Sequence, residues 1–226
     1  MGADKKILLF LGAPGAGKGT LAQRCCSELS YEQLSTGNLC REHIAQATQI
    51  GKAIDLALKS GKLVDDSLIT AMVTQWFSQY SQKQRVILDG FPRTVIQAET
   101  FDRFIGETQM LKPEVVKLAV SEQVVIDRLG MRLICSKGDC QAVYSLVGNG
   151  HLPAKSGVCD RCLSPLIRRP DDEIEAIKKR LKLYTAHETA LLDCYQKLGY
   201  KITTVDASVP IEQVFAELKT NLEACL

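Results

Sequence analysis

Residues Gly12 to Thr20 read GAPGAGKGT and follow directly on the apolar run Ile7-Leu8-Leu9-Phe10-Leu11. A short buried strand, a glycine-rich turn, a lysine and then a helical pattern form the sequence signature of a phosphate-binding loop. In the spacing Gly12-x4-Gly17-Lys18, the segment Gly15, Ala16, Gly17, Lys18, Gly19 and Thr20 offers backbone N–H groups and a helix start to phosphate oxygens, with Lys18 as a point charge. A plain turn needs no cation at a helix start, where the dipole is already positive. Gly19 stands where the motif usually has Ser or Thr, and the hydroxyl comes one residue later, at Thr20.

The rest of the composition narrows the class. With 226 residues the chain can bury one substantial core with smaller appended lobes. Its 46% hydrophobic and 24% charged residues are ordinary for a globular protein, and a formal charge of +2 gives no basic surface for nucleic acid. No apolar stretch reaches the roughly 20 residues of a membrane span, and the start lacks a signal-peptide pattern, so the cytoplasm is the expected location. Of nine cysteines, Cys25, Cys26, Cys40, Cys194 and Cys225 lie in helical-looking segments and read as small packed thiols. The other four are clustered between 135 and 162.

Apolar, β-branched runs recur at 7–11, 86–88, 115–120 and 202–205, with a weaker one at 31–34. Helical patterns lie between them, among them 20–29, 66–80, 94–108 and 172–198, and a last helix begins near Pro210. Alternation of near-continuous apolar strands with helices predicts an α/β fold with a parallel sheet of about five strands, covered by helices on both faces. Two segments break the rhythm. Residues 36–64 hold two short helical patterns with no strand between them; residues 129–168 lose the helical period and gain glycines, prolines and cysteine pairs. Both are inserted at the carboxyl side of sheet strands, where open α/β sheets bind ligands. The expected organisation is a core of 1–35, 65–127 and 169–226 with two lobes, 36–64 and 128–168, over one site.

Val86-Ile87-Leu88-Asp89 is a buried strand ending in a carboxylate, the position from which P-loop enzymes hold Mg²⁺ or its waters. An Asp-Gly strand-terminal turn is the bland alternative. The next residues, Gly90-Phe91-Pro92-Arg93-Thr94, put an arginine just before a helix. Taken in order, GAPGAGKGT, Ser35-Thr36-Gly37-Asn38-Leu39-Cys40-Arg41, Gly61-Lys62-Leu63-Val64-Asp65, Asp89-Gly90-Phe91-Pro92-Arg93, Asp127-Arg128 with Arg132, Arg169-Pro170-Asp171-Asp172 and Lys179-Arg180-Leu181 resemble the adenylate kinases, most of all those with a long lid. The resemblance covers nearly the whole chain.

That resemblance implies transfer of the γ-phosphoryl of Mg·ATP to AMP, giving two ADP. The acceptor is an already ionised phosphate oxygen, so the chemistry needs in-line positioning and charge cancellation rather than a general base. His43, His151 and His187 accordingly lie outside the motifs. By similarity, Arg41 and Arg93 hold the AMP phosphate, Arg128 and Arg132 reach ATP from the lid, Arg169 and Arg180 bridge the transferring group, and Lys18 follows it. Thr36, Lys62, Leu63, Val64 and the Gly90-Phe91-Pro92 turn are implied on AMP, with Gln97 reading its adenine. Val143, Tyr144 and the turn ending at Val209 are implied beside the adenine of ATP, although a core tyrosine is the plain alternative for Tyr144. Asn38 departs from the family's usual aspartate, which leaves more of the magnesium-water role to Asp89, Asp171 and Asp172.

Cys135-x4-Cys140 and, 18 residues on, Cys159-x2-Cys162 have the spacing of a structural four-thiolate zinc site. The family's first pair is usually C-x2-C, so free thiols or partial coordination remain the alternative. Two further readings stand beside the kinase: a UMP/CMP-type kinase, and a zinc-ribbon P-loop regulator that binds nucleotide without transferring phosphate. The expected partners are ATP, AMP and ADP, with no nucleic acid and no membrane, and the expected assembly is a monomer.

Overall fold

The computed structural model describes residues 6–59, 64–80, 85–110, 112–138, 140, 142–146 and 151–223. In chain order the elements are β1 (Lys6–Gly12), α1 (Lys18–Leu29), β2 (Glu32–Ser35), α2 (Thr36–Ala45), α3 (Gln49–Lys59), α4 (Asp66–Tyr80), β3 (Arg85–Asp89), α5 (Val95–Glu107), β4 (Glu114–Ala119) and α6 (Glu122–Gly130). There follow β5 (Arg132–Cys135), β6 (Val143–Ser145), β7 (Leu166–Ile167), a 3₁₀ turn (Pro170–Asp172), α7 (Ile174–Lys197), β8 (Lys201–Asp206) and α8 (Ile211–Glu223). All five expected core strands and the expected helices are present, including the two short helices in 36–64. The cysteine-bearing segment, whose paired cysteines have the arrangement of a zinc ribbon, contains a small sheet, ordered β6-β5-β7 and antiparallel throughout. Among the described residues no helix is long and apolar enough to cross a membrane.

The chain divides into two compact units, one of Met1–Leu11, Leu21–Lys117 and His187–Thr204, the other of Gly12–Thr20, Leu118–Ala186 and Val205–Leu226. The first carries most of a five-stranded sheet of order β2-β3-β1-β4-β8. Six consecutive buried residues in β1 and three in β3 show why the sequence reads as unbroken apolar runs: both faces are covered. Register fixes the working edge of this sheet. Ser35 and Phe10 both lie opposite Asp89 in parallel ladders, so β2 and β3 end together there while β1 runs two residues further, to Gly12. Beneath that edge Phe77, Phe91, Phe101 and Phe104 pack edge-to-face or stacked, with neighbouring centroids 5.4–6.2 Å apart.

In the second unit two cores are distinct. Ala13 from the glycine-rich loop packs with Val125 and Leu129 of α6 and Ile177 and Leu181 of α7. A smaller core is built from Cys135, Ala142, Tyr144 and Cys159. Cys25 and Cys194 are buried and Cys26 and Cys40 partly so, as expected of packed helical thiols; Cys225 lies outside the described residues.

The pairing of α2 with α3 depends on one missing side chain. A Cβ on Gly51 would lie 2.0 Å from the carbonyl oxygen and 2.3 Å from the carbonyl carbon of His43, both rigid backbone atoms. Alanine at a helical position normally gains about 1 kcal/mol over glycine. Here that gain is opposed by an overlap that can be relieved only by moving the two helices apart, an overpacking effect of about 1–3 kcal/mol. Gly51→Ala is therefore expected to lower amide protection across 36–59 in hydrogen exchange; unchanged or greater protection would contradict this packing.

Candidate functional site

In the second unit the glycine-rich loop has the conformation its residues demand. Gly15 and Gly17 adopt φ of +80° and +94°, the left-handed region open to glycine. A Cβ at Gly15 would also sit 2.7 Å from Cγ of Leu129, so α6 seats the loop closely. Lys18 Nζ donates to the carbonyls of Gly12 and Ala13 at 2.6 and 2.9 Å, which holds the ammonium over the mouth of the turn. A helix N-terminus, glycine N–H groups and a tethered cation together make an anion cradle.

The same unit gathers four of the expected arginines. Arg132 forms a bidentate pair with Asp172, Nε to Oδ2 at 2.7 Å and Nη2 to Oδ1 at 2.5 Å, and the Asp172 side chain is only 2% exposed. Arg180 lies 3.6 Å from the same carboxylate and 3.3 Å from Asp171, and donates to the Asp171 carbonyl. Arg169 accepts Asp172 N–H on its carbonyl at 3.0 Å, closing the 3₁₀ turn. Arg128 donates to the Ser208 carbonyl at 3.3 Å, and its guanidinium pKa is lowered by burial, partly offset by Asp206. That contact ties α6 to the turn containing Val209. Asp172, expected among the carboxylates for magnesium waters, instead serves Arg132 and Arg180; of the three carboxylates given that role, Asp89 ends a strand of the main sheet.

In the first unit the ends of β2 and β3 build a second polar group. Thr36 is 4% exposed and donates to the Gly90 carbonyl at 2.9 Å, while Gln33 donates to Asp89 Oδ2 at 3.1 Å. Gly90, at φ +83°, allows Arg93 to fold back: an added Cβ would meet Arg93 Nη2 at 2.7 Å and Thr36 Oγ1 at 2.9 Å. Arg93 Nε donates to the Gly90 carbonyl at 2.7 Å across a cis Phe91–Pro92 bond, with Phe91 1% exposed as the apolar anchor. Arg41 donates to Asn38 Oδ1, which gives the amide at that position a partner that aspartate would also satisfy. The thiol of Cys40 is raised in pKa by burial and pulled back by Arg93 and Arg41, so both guanidiniums act on one place.

Gln97 is 4% exposed, and its amide is oriented from both ends. Oε1 accepts the Arg93 backbone N–H at 2.8 Å, and Nε2 donates to Asp66 Oδ1 at 2.7 Å. Val64 precedes α4 in the described chain; Lys62 and Leu63, also expected on AMP, lie outside the described residues. Gln33 and Asp66 are polar partners that the sequence reading missed. For Asp66 no local signal exists, because it stands 31 residues from the glutamine it binds.

A family model described as adenylate kinase matches residues 10–200. Adenylate kinases of Finegoldia magna and Archaeoglobus fulgidus are each 36% identical over 96% of this chain and 98% and 97% of their own. That of Thermodesulfovibrio yellowstonii is 38% identical over 96% of this chain and 98% of its own. The chain belongs to the adenylate kinase family. Members of this family are ATP:AMP phosphotransferases that use Mg²⁺ with ATP.

The cysteine cluster near 135–162 is compatible with a zinc-bearing lid. All four sulfurs, of Cys135, Cys140, Cys159 and Cys162, lie within 4.8 Å of one another. Cys135 and Cys162 are 3.3 Å apart and Cys140 and Cys159 3.7 Å, beyond the ~2.05 Å of a disulfide and near the ~3.8 Å edge of a tetrahedron of thiolates 2.3 Å from a metal. The wider first loop is thus no obstacle: Cys140 N–H donates to Lys137 O at 3.1 Å, turning Cys140 back toward the others. Tyr144 supports the cluster from outside. Its hydroxyl accepts Asp160 N–H at 2.8 Å and so has its proton to give Cys159 Sγ at 3.4 Å, which lowers that thiol to about 6. The four-cysteine group is compatible with zinc. The Tyr144 ring is 1% exposed and stacked on His151, so its side chain packs, as in the alternative given above; its neighbour Val143 is exposed.

Removing the shared carboxylate should unsettle the arginine cluster. Asp172→Asn leaves two guanidiniums facing a neutral amide, and breaking one side of a buried pair typically costs about 3–5 kcal/mol. Because Arg132 is 16% exposed, a loss nearer 2 kcal/mol is expected in urea unfolding; an unchanged midpoint would mean that the pair is solvent-compensated.

Proposed function

We propose that the protein transfers the γ-phosphoryl group of Mg·ATP to AMP, reversibly giving two ADP. The observation that carries the reading is the second polar group: beyond the P-loop, the ends of β2 and β3 supply two arginines, a buried threonine and an oriented amide. A protein that only bound or hydrolysed a triphosphate would need none of these. Two nucleotide-ready groups on one chain suit transfer from one nucleotide to another.

In this reading the loop 15–20 cradles the β- and γ-phosphates, with Lys18 beside the moving group and Thr20 supplying the hydroxyl displaced by Gly19. Arg93 and Arg41 bind the AMP α-phosphate, while Thr36, Val64 and the 90–92 turn line the same nucleotide. Arg128, Arg132, Arg169 and Arg180 offset the charge that accumulates as two anions approach. Each guanidinium has five N–H donors, so an arginine held by Asp172 keeps donors for a phosphate. Mg²⁺, when bound with ATP, neutralises β- and γ-oxygens, and Asp89 is the residue to hold its waters. Val143 and the backbone up to Val209 flank the ATP adenine. Residues 36–64 act as the AMP lobe and 128–168 as the lid of a monomeric, cytoplasmic enzyme.

Cys135, Cys140, Cys159 and Cys162 would hold structural zinc, a closed site that leaves no position for water. Among the described residues the core of this segment is small, and a metal staples what apolar burial cannot.

Two tests follow. Arg93→Ala should lower ADP formation from ATP and AMP by about 10²-fold or more while the far-UV CD spectrum is unchanged, and an acceptor screen should rank AMP above GMP, CMP and UMP. Better use of UMP or CMP would assign the acceptor differently. Gently purified protein should carry one zinc per chain by elemental analysis, and chelation should expose 135–168 to protease before the rest of the chain; absence of zinc would leave the cluster as free thiols.

A further inference from the structure

From the hydrogen bonds around the start of α5, we infer that Asp66 is a positioning residue that selects adenine over guanine by fixing the orientation of the Gln97 amide. The inference rests on the reading above in which Gln97 faces the AMP base.

Thr94 and Gln97 occupy the first and fourth places of a capping box, and Thr94 Oγ1 accepts Gln97 N–H at 3.2 Å as such a box requires. In the ordinary box the glutamine's oxygen would return to the cap residue's own N–H, and nothing would be asked of its NH₂. Here Oε1 takes the N–H of Arg93, one residue earlier, and Nε2 is engaged separately by Asp66 Oδ1. The second oxygen, Oδ2, accepts the Thr94 hydroxyl at 2.8 Å. Capping needs no bond to Nε2, so the carboxylate does something the cap does not require.

Its effect follows from the donor and acceptor rules. A backbone N–H can only donate and a carboxylate can only accept, so an amide held between them has one orientation; rotating it by 180° would set NH₂ against N–H and C=O against a carboxylate. The remaining Nε2 hydrogen and Oε1 lone pair then face outward in a fixed order. Adenine offers an acceptor at N1 and a donor at its 6-amino group, and matches an N–H beside a C=O. Guanine offers the reverse, a donor at N1 and an acceptor at O6. An amide free to rotate serves both purines, whereas a locked one meets guanine with two mismatches, each leaving a buried polar group unpaired. Asp66 reaches Gln97 because it opens α4, whose first turn is set by Asp65 accepting the N–H groups of Ser67 and Leu68 at 2.9 and 3.3 Å. A carboxylate there is also favoured by the helix dipole.

The experiment measures kcat and KM for AMP and for GMP, with ATP as donor, in the full chain and in Asp66→Ala, Asp66→Asn, Gln97→Ala and the double variant Asp66→Asn/Gln97→Ala. Asp66→Ala is expected to raise KM for AMP and to lower the AMP:GMP ratio of kcat/KM by about tenfold or more, chiefly through better use of GMP. Asp66→Asn keeps the volume and has one acceptor oxygen for two donors; it should shift the ratio in the same direction by less, and it carries the test should the alanine variant not fold. The double variant should show the Gln97→Ala ratio with no further loss, since both act through one amide. If Asp66 variants lower the melting temperature but leave the AMP:GMP ratio unchanged while Gln97→Ala collapses it, the positioning role is overturned and the base reading survives. If Gln97→Ala itself leaves the ratio unchanged, the base reading fails and this inference with it.

Discussion

The register of three parallel strands is the constraint from which the polar group at the ends of β2 and β3 follows. Parallel pairing of β2, β3 and β1 sets Ser35, Asp89 and Phe10 side by side, and a parallel ladder has no hairpin to fix its register. What fixes it is burial: Leu34, Val86, Ile87, Leu88 and the β1 residues from Leu8 to Phe10 are each at most 3% exposed, so a slip would drag the polar ends inward. With the ends aligned, Thr36 reaches Gly90, Gly90 admits Arg93, and Gln33 reaches Asp89. Moving β2 by one residue against β3 would dissolve the Thr36–Gly90 and Gln33–Asp89 contacts.

Charge is handled differently in the two polar groups. The loop at Gly12 to Thr20 uses backbone dipoles and one lysine tied to its own carbonyls, which needs glycines and little side-chain order. The arginine cluster depends on a nearly inaccessible carboxylate, Asp172, to hold Arg132 and Arg180 in place. Holding two long cationic side chains in one geometry costs rotamer entropy, and the shared carboxylate has them ordered on folding. Its charge also offsets the repulsion between the two guanidiniums.

The cysteine-bearing sheet answers a problem of size. Three short strands and the core of Cys135, Ala142, Tyr144 and Cys159 cannot exclude enough water to fold by apolar burial alone. Four sulfurs brought within 4.8 Å offer a metal-sized closure, and Tyr144 links strand β6 to the second cysteine pair through Asp160 and Cys159. The tyrosine side chain is thereby committed to packing and to the second cysteine pair.

Fold class, strand and helix positions, the glycine-rich loop and the clustering of four cysteines were legible in the chain because each is a local pattern: apolar period, turn chemistry, ligand spacing. Arg41, Arg93, Arg132 and Gln97 were singled out by the resemblance to the adenylate kinases, not by any pattern of their own. Other features are decided only when distant segments meet. The sequence by itself determined which residues could bear charge, turn the backbone or bind metal, because those capacities belong to side-chain chemistry. The tertiary structure alone decided their partners: that Asp172 serves arginines, that Tyr144 serves sulfur, and that Asp66, 31 residues away, orients Gln97. Hydrogen bonds are short and directional, and nothing in a residue's neighbours along the chain says which distant donor the fold will bring within 3 Å of it.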